Sequence, residues 1–268
     1  SPRLVEPFRD RYGYDLVESL PLLLNEEHPD HLRVVRDFRD LCHSLFVERF
    51  DQPIARWCDE HNLLYCAEKP AYTLSHLAEY DVPGCEPGHT KAGDYPDLLG
   101  EEIRQNARAA ASVAHFYDKP TAACESYHSI GWSGTLQDAK LIAEGLLLLG
   151  VETIVPHGFF YTTAGLAKHD APPSFFLQMP YWSLFGELSR RVEGILKHFD
   201  GCTPDVRVWV YEPSAGLPTT AQRSVYRAIL HALMEIHREF LLVDLPILRM
   251  AKRAADILVI PPIRLRES

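Results

Sequence analysis

The chain has 268 residues, enough for one large α/β domain or for a medium domain with a piece of another. Its 46% hydrophobic and 24% charged residues are ordinary for a globular fold, which argues against both a disordered chain and a membrane protein. With 27 Lys and Arg against 37 Asp and Glu, the net charge of −10 repels a phosphate backbone, so no nucleic-acid partner is expected.

The longest unbroken apolar run, residues 145–151, falls far short of the ~20 residues a membrane span needs, and no span is expected. The cysteines Cys42, Cys58, Cys66, Cys85, Cys124 and Cys202 form no CxxC pair, which speaks against a zinc knuckle or a thioredoxin-like site. The start at Ser1-Pro2, with no Met and no charged-then-apolar leader, reads as a processed chain or a fragment.

Residues 8–24 read as a mid-domain helix and its connection. From Asp37, Phe38, Leu41, Cys42, Leu45, Phe46, Ile54, Trp57 and Cys58 recur at three- and four-residue spacing, which predicts a helix running to Glu60. Leu63-Leu64-Tyr65-Cys66-Ala67 then suits a strand buried on both faces, ending at Glu68. The segment 81–89 ends another candidate strand and offers Glu86 or His89, although its Pro and Gly content reads more readily as a surface loop. Residues 102–117 form an Ala-rich helix, 118–120 a turn, and 121–124 a small-residue strand stopping at Glu125. Thr135 opens a further helix with Asp138 as its capping-box partner, and Gly150 closes it. Residues 151–155 are the next strand, ending at Pro156-His157, and 178–199 an amphipathic helix.

Composition changes at residues 200–204, where a domain boundary is placed. Beyond it, 206–211 and 257–260 read as buried strands flanking a helical stretch over 220–240. The predicted fold is therefore α/β. Residues 1–200 are the C-terminal portion of a TIM-like (βα)8 barrel whose N-terminal strands lie upstream, and residues 203–268 begin a three-layer α/β accessory domain. An open sheet is the alternative to the barrel, since only about four of its eight strands are counted.

Glu68 and Glu125 stand at C-terminal strand ends, where side chains of a βα barrel project into the mouth of the active site. Glycosidic cleavage needs one protonated carboxyl for the leaving oxygen and one carboxylate on the opposite face, and these two glutamates are the candidate catalytic pair. A strand-end glutamate also serves as a cap or an ion-pair partner. Trp132 can stack on a sugar ring, and Tyr127, His128, His157 and Tyr161 can hydrogen-bond hydroxyls from loops at the same face. His157 has no second ligand at metal spacing beside it, which favours contact with substrate. No G-x-S-x-G elbow, P-loop or G-x-G-x-x-G occurs, and Ser126 lacks the flanking glycines of a nucleophile turn. Cys202, in a Pro-bounded linker, is poorly placed to be the nucleophile of an amidotransferase-like enzyme.

Several blocks, in order, resemble the alpha-L-rhamnosidase-like glycoside hydrolases of family 106 and their bacterial relatives. They are FRDRYGYDLVESLP from Phe8, the helix from Asp37, ACESYHSIGW from Ala123, VETIVPHGFFY from Val151 and KHDAPPSFFLQMPYW from Lys168. The resemblance implies a TIM-like barrel, an inverting mechanism and a carboxylate pair matching Glu68 and Glu125. The Glu68 strand end is the weaker match, and Tyr127-His128 replace the Gly or Phe of relatives after the second glutamate. Family members can bind calcium, whose ligands the resemblance does not place in this chain. The region after Asp205 resembles the flavodoxin- or amidotransferase-like accessory domain that follows such barrels. The expected function is hydrolysis of a terminal, rhamnose-like sugar from a poly- or oligosaccharide, and the alternative is a catalytically silent carbohydrate-binding barrel.

Overall fold

The computed structural model describes residues 2–69, 71–88, 98–202, 204–216 and 218–262. The chain opens with four helices: α1 (Val5–Tyr12), α2 (Leu16–Ser19), α3 (His31–Phe46) and α4 (Gln52–Glu60). The long helix predicted from Asp37 thus begins already at His31, and a π-helical turn at Val47–Asp51 joins α3 to α4 without a break. That turn delivers the fully buried Asp51 to Lys69, which ion-pairs with it, and to Tyr65 and Tyr80, whose hydroxyls donate at 3.1 and 3.4 Å. A buried charge needs this many partners, and meeting the need fastens the helix to the segment after the first strand.

The first sheet consists of β1 (Cys66–Ala67), β2 (Val82–Cys85), β3 (Ala123–Ser126) and β4 (Thr153–Pro156), all parallel and in chain order. Parallel neighbours require crossovers, supplied by a 3-10 turn at Leu74–Glu79, by α5 (Ala107–Phe116) and by α6 (Leu136–Leu148). Among the described residues the sheet has four strands with β1 and β4 at its edges, an arrangement that both a TIM-like barrel and an open sheet contain. Because β1 is an edge strand of two residues, the expected burial of 63–67 on both faces does not occur, and Leu64 is 67% exposed. By contrast 82–85 is a fully buried strand rather than a surface loop. The strand expected at 121–124 lies two residues later, so Glu125 is inside it. The Thr135–Asp138 capping box forms as read, and Gly150 follows α6 with φ +86°, a left-handed conformation suited to glycine.

The helix expected over 178–199 is shorter, α7 (Phe185–His198), preceded by a 3-10 turn at Trp182–Leu184. A second parallel sheet follows: β5 (Val208–Tyr211), α8 (Thr220–Glu235), β6 (Phe240–Val243), α9 (Leu245–Met250) and β7 (Ile257–Val259), with strand order β6-β5-β7. The helical reading of 220–240 fails at its end: α8 stops at Glu235, short of Phe240, whose apolar run is a strand buried at all four positions. An order in which successive strands are added on opposite sides of β5 is how a doubly wound sheet starts.

Helix α5 lies between the two sheets. Its Ala107, Ala109, Ala110, Ala111 and Val113 are buried, and the backbone amide of Leu242 in β6 donates to Ser112 Oγ at 2.9 Å. One hydrophobic cluster runs from Leu74, Cys85 and Ile142 to Val208, Val210 and Phe240, so the packing continues across the boundary placed at 200–204. Each such large apolar side chain contributes about 1.5–3 kcal/mol. Among the described residues no helix is long and apolar enough to cross a membrane.

Candidate active site

Cys85 pairs with Cys124 across β2 and β3, so Glu86 and Glu125 stand side by side just beyond that pair. Ala67 pairs with Pro83, which brings Glu68 out beside Gly84. The approach is close enough that a Cβ on Gly84 would lie 2.7 Å from the carbonyl oxygen of Ala67, contact that only glycine permits. Three adjacent parallel strands thereby present three glutamates at one end. One oxygen of each of Glu68, Glu86 and Glu125 lies within 4.8 Å of the other two.

Like charges about 4 Å apart repel by roughly 1 kcal/mol in water and about 4 kcal/mol near a protein surface, so the trio requires a proton or a cation. Arg104 supplies one. Its Nη2 donates to Glu68 Oε1 at 3.0 Å and also to Glu86, while its carbonyl accepts from the Glu86 amide at 2.8 Å. Burial pushes the Glu68 carboxyl above its ordinary range, Arg104 pulls it back, and Glu125 adds to the rise. Glu68 Oε2 is buried with no hydrogen-bond partner among the described residues.

His128 Nε2 lies 3.7 Å from Glu86 Oε1. Burial lowers the pKa of His128 against the opposing pull of Glu125, which keeps the ring neutral near pH 7. His157 follows β4, its amide donating to the Ser126 carbonyl at 2.8 Å, and its buried Nδ1 has no partner among the described residues. His157 and Trp132 both meet Phe160 edge to face, at 5.9 and 6.3 Å between centroids. The Trp132 indole donates to the Lys168 carbonyl at 2.7 Å and the residue stays 37% exposed, so it ties down the 165–169 turn while keeping part of its ring open.

Two of the expected substrate contacts are not brought to this place. Tyr127 is only 2% exposed and packs on Phe175 at 5.1 Å, so it is a core residue with no ring face to offer a sugar. Its left-handed backbone, φ +74°, turns the chain immediately after β3. Tyr161 is 98% exposed and joins neither the carboxylates nor the Trp132–Phe160–His157 wall. Ser126 is buried and donates to the Cys124 carbonyl, in keeping with its exclusion as a nucleophile. His89 lies outside the described residues. The residues that sequence reasoning underweighted or missed are Glu86 and Arg104. Glu86 was disguised by its Pro and Gly neighbours, and the signal for it was its place at the end of a candidate strand.

The three carboxylates form an all-oxygen donor set of the kind that suits a hard cation such as calcium. The unpartnered Oε2 of Glu68 fits such a role, whereas Arg104 already occupies part of the trio's capacity.

No family model matches the chain, and no curated protein matches it. Among solved structures it is similar to the rhamnosidase from Novosphingobium sp. PP1Y, with a TM-score of 0.61 and 17% identity over 97% of this chain. The chain shares that protein's fold. It spans 27% of the rhamnosidase's length, so the likeness concerns a part of that larger enzyme.

Proposed function

We propose that the chain carries the acid and base of a glycoside hydrolase acting on a terminal, rhamnose-like sugar, in the C-terminal part of a TIM-like barrel. The observation that supports this reading best is the convergence of Glu68, Glu86 and Glu125 from three neighbouring strand ends. The shared fold with a rhamnosidase supports it as well.

Glu68, whose carboxyl burial pushes up against the pull of Arg104 and with the help of Glu125, is the general acid for the leaving oxygen. Glu125 is the second carboxylate, acting at the anomeric carbon, and Glu86 with Arg104 sets the charge between them. His128, His157 and the open part of Trp132 are the sugar contacts. Should a hard cation be part of the site, Glu68, Glu86 and Glu125 would hold it, and it would polarise sugar hydroxyls.

The nearest oxygens lie within 4.8 Å, a bound that accommodates the ~5–5.5 Å between carboxyl groups of a retaining pair and the lower end of the ~6.5–9.5 Å of an inverting one. Proton NMR of the first product anomer decides between the two: retention makes Glu125 the nucleophile, and inversion makes it the base of a pair that opens to admit water.

The test of the function is Glu68→Gln and Glu125→Gln assayed on a panel of aryl glycosides in the full-length protein. Each variant is expected to lose about 10²-fold or more in kcat. Rates near wild type in both would sink the proposal, and oligosaccharide binding without turnover by the wild type would indicate the silent carbohydrate-binding barrel. Loss of activity on chelation and its return with calcium would assign the carboxylate trio to a cation.

A further inference from the structure

Beside the carboxylates lies a cavity of about 730 Å³, within the ~300–1,000 Å³ of small-molecule sites. Its walls come from α3, from Ala71 and Tyr72 beyond β1, from residues 101–104 and from the loop and first turn that lead from β5 into α8. Arg104 lines this cavity and also holds Glu68 and Glu86, so one guanidinium joins the cavity to the carboxylates.

The charged lining is mixed: Arg39, Arg104 and Arg223 with Glu26, Glu101 and Glu102, Arg104 being already engaged by Glu68 and Glu86. These groups do not consume one another. Arg223 reaches Glu101 only at 3.9 Å, and among the described residues Arg39, Glu26 and Glu102 form no ion pair. A lining that mixes guanidinium donors with carboxylate acceptors and has no cationic excess does not suit a polyanion. It matches hydroxyl groups, each of which donates and accepts at once.

The rest of the lining mixes aliphatic Leu32, Val35 and Ile103 with Thr219 and Thr220, and one part of it, at His43 and Tyr72, is aromatic and fixed. The His43 ring stacks on Tyr72 at 5.5 Å and on His76 at 4.9 Å, and burial pulls both imidazoles down to about 4, leaving them uncharged at neutral pH. The Tyr72 hydroxyl donates to the Ala215 carbonyl at 3.1 Å, and Asp244 accepts from the amide and hydroxyl of Ser75 at 2.9 and 2.7 Å. Bonds between the C-terminal ends of the two sheets thus hold the cavity open before any ligand arrives.

We infer that this cavity binds the remaining sugars of a neutral oligosaccharide whose terminal sugar sits at the carboxylates. The inference rests on the glycosidase reading and adds to it the substrate class: a chain of several neutral sugars rather than a small glycoside.

The test uses the double variant Arg39→Gln/Glu102→Gln, both exposed residues outside the catalytic trio, with Glu26→Gln as an independent variant on another wall. Two substrates are compared, an aryl rhamnoside and a neutral rhamnose-terminated tetrasaccharide. The KM for the tetrasaccharide is expected to rise about tenfold or more, as befits lost hydrogen bonds to charged groups, with kinetics on the aryl rhamnoside unchanged. An unchanged tetrasaccharide KM, or an equal change on both substrates, overturns the inference. If the wild type turns over neither substrate, the glycosidase reading has failed, and calorimetry with the tetrasaccharide then reads the cavity alone. Binding by the wild type that is lost in the double variant supports the site, whereas absent or unaltered binding overturns it. Tighter binding of a uronate-bearing tetrasaccharide than of the neutral one overturns the assignment to neutral sugars.

Discussion

Arg104 Nη2 stands 3.0 Å from Glu68 Oε1, although the two residues are 36 apart in sequence and lie on different segments. The same nitrogen serves Glu86, so a single guanidinium sets the charge of two of the three strand-end carboxylates. Replacing it by methionine removes the one influence that lowers the Glu68 pKa and leaves burial and Glu125 to raise it further. In Arg104→Met the alkaline limb of the kcat/KM profile is therefore expected to move to higher pH, with kcat reduced. An alkaline limb that stays in place would detach Glu68 from the rate.

Gly84 is expected to tolerate no Cβ, since one would lie 2.7 Å from the Ala67 carbonyl oxygen and 3.1 Å from the Glu68 amide nitrogen. Gly84→Ala should cost about 1–3 kcal/mol in urea unfolding, as overpacking does. Its kcat should fall further than the folded fraction does, because the strain acts at Glu68.

Tyr127 separates a core role from a sugar-binding one. Tyr127→Ala is expected to cost about 3–5 kcal/mol by chemical denaturation, as for other large buried aromatic truncations. The folded molecules should keep the wild-type KM.

Asp51 and Lys69 form a buried ion pair in which Lys69 also lies over the Phe46 and Tyr80 rings at 4.9 and 5.0 Å. Asp51→Asn strands the ammonium and should cost about 3–5 kcal/mol, whereas the double change Asp51→Leu/Lys69→Met should recover much of that loss. Urea midpoints of the three proteins measure it.

Stability should peak between two opposing titrations. Burial raises the Glu212 carboxyl from 4.5 to about 7 in the folded chain. Its contribution is complete below pH 4.5 and is lost as pH rises through 7. His43 and His76 titrate near 4 when folded against 6.5 when unfolded, so theirs is complete above pH 6.5 and is lost as pH falls toward 4. Glu212→Gln should flatten the alkaline side of a Tm series from pH 4 to 8, gaining up to about 3 kcal/mol above pH 7. An unchanged alkaline slope would remove Glu212 from the balance.

Local patterns in the sequence determined the α/β class, the helix over 37–60, the Thr135 cap, the presence of a strand at Glu125 and the absence of a long apolar span. All of these depend on periodicity or on residues within one turn of each other. Register across parallel strands decided the rest, and register joins segments that are distant in the chain. It placed Glu86 beside Glu125, required Gly84 against Ala67 and drew Arg104 onto Glu68. Burial likewise went against local reading at Tyr127, where one left-handed residue after β3 takes the ring into the core, and at Phe240, where the second sheet claims a run that looked helical. The sequence alone offered residue types suited to the chemistry, and the tertiary fold decided which of them meet, because a carboxylate cluster forms only where several strand ends converge.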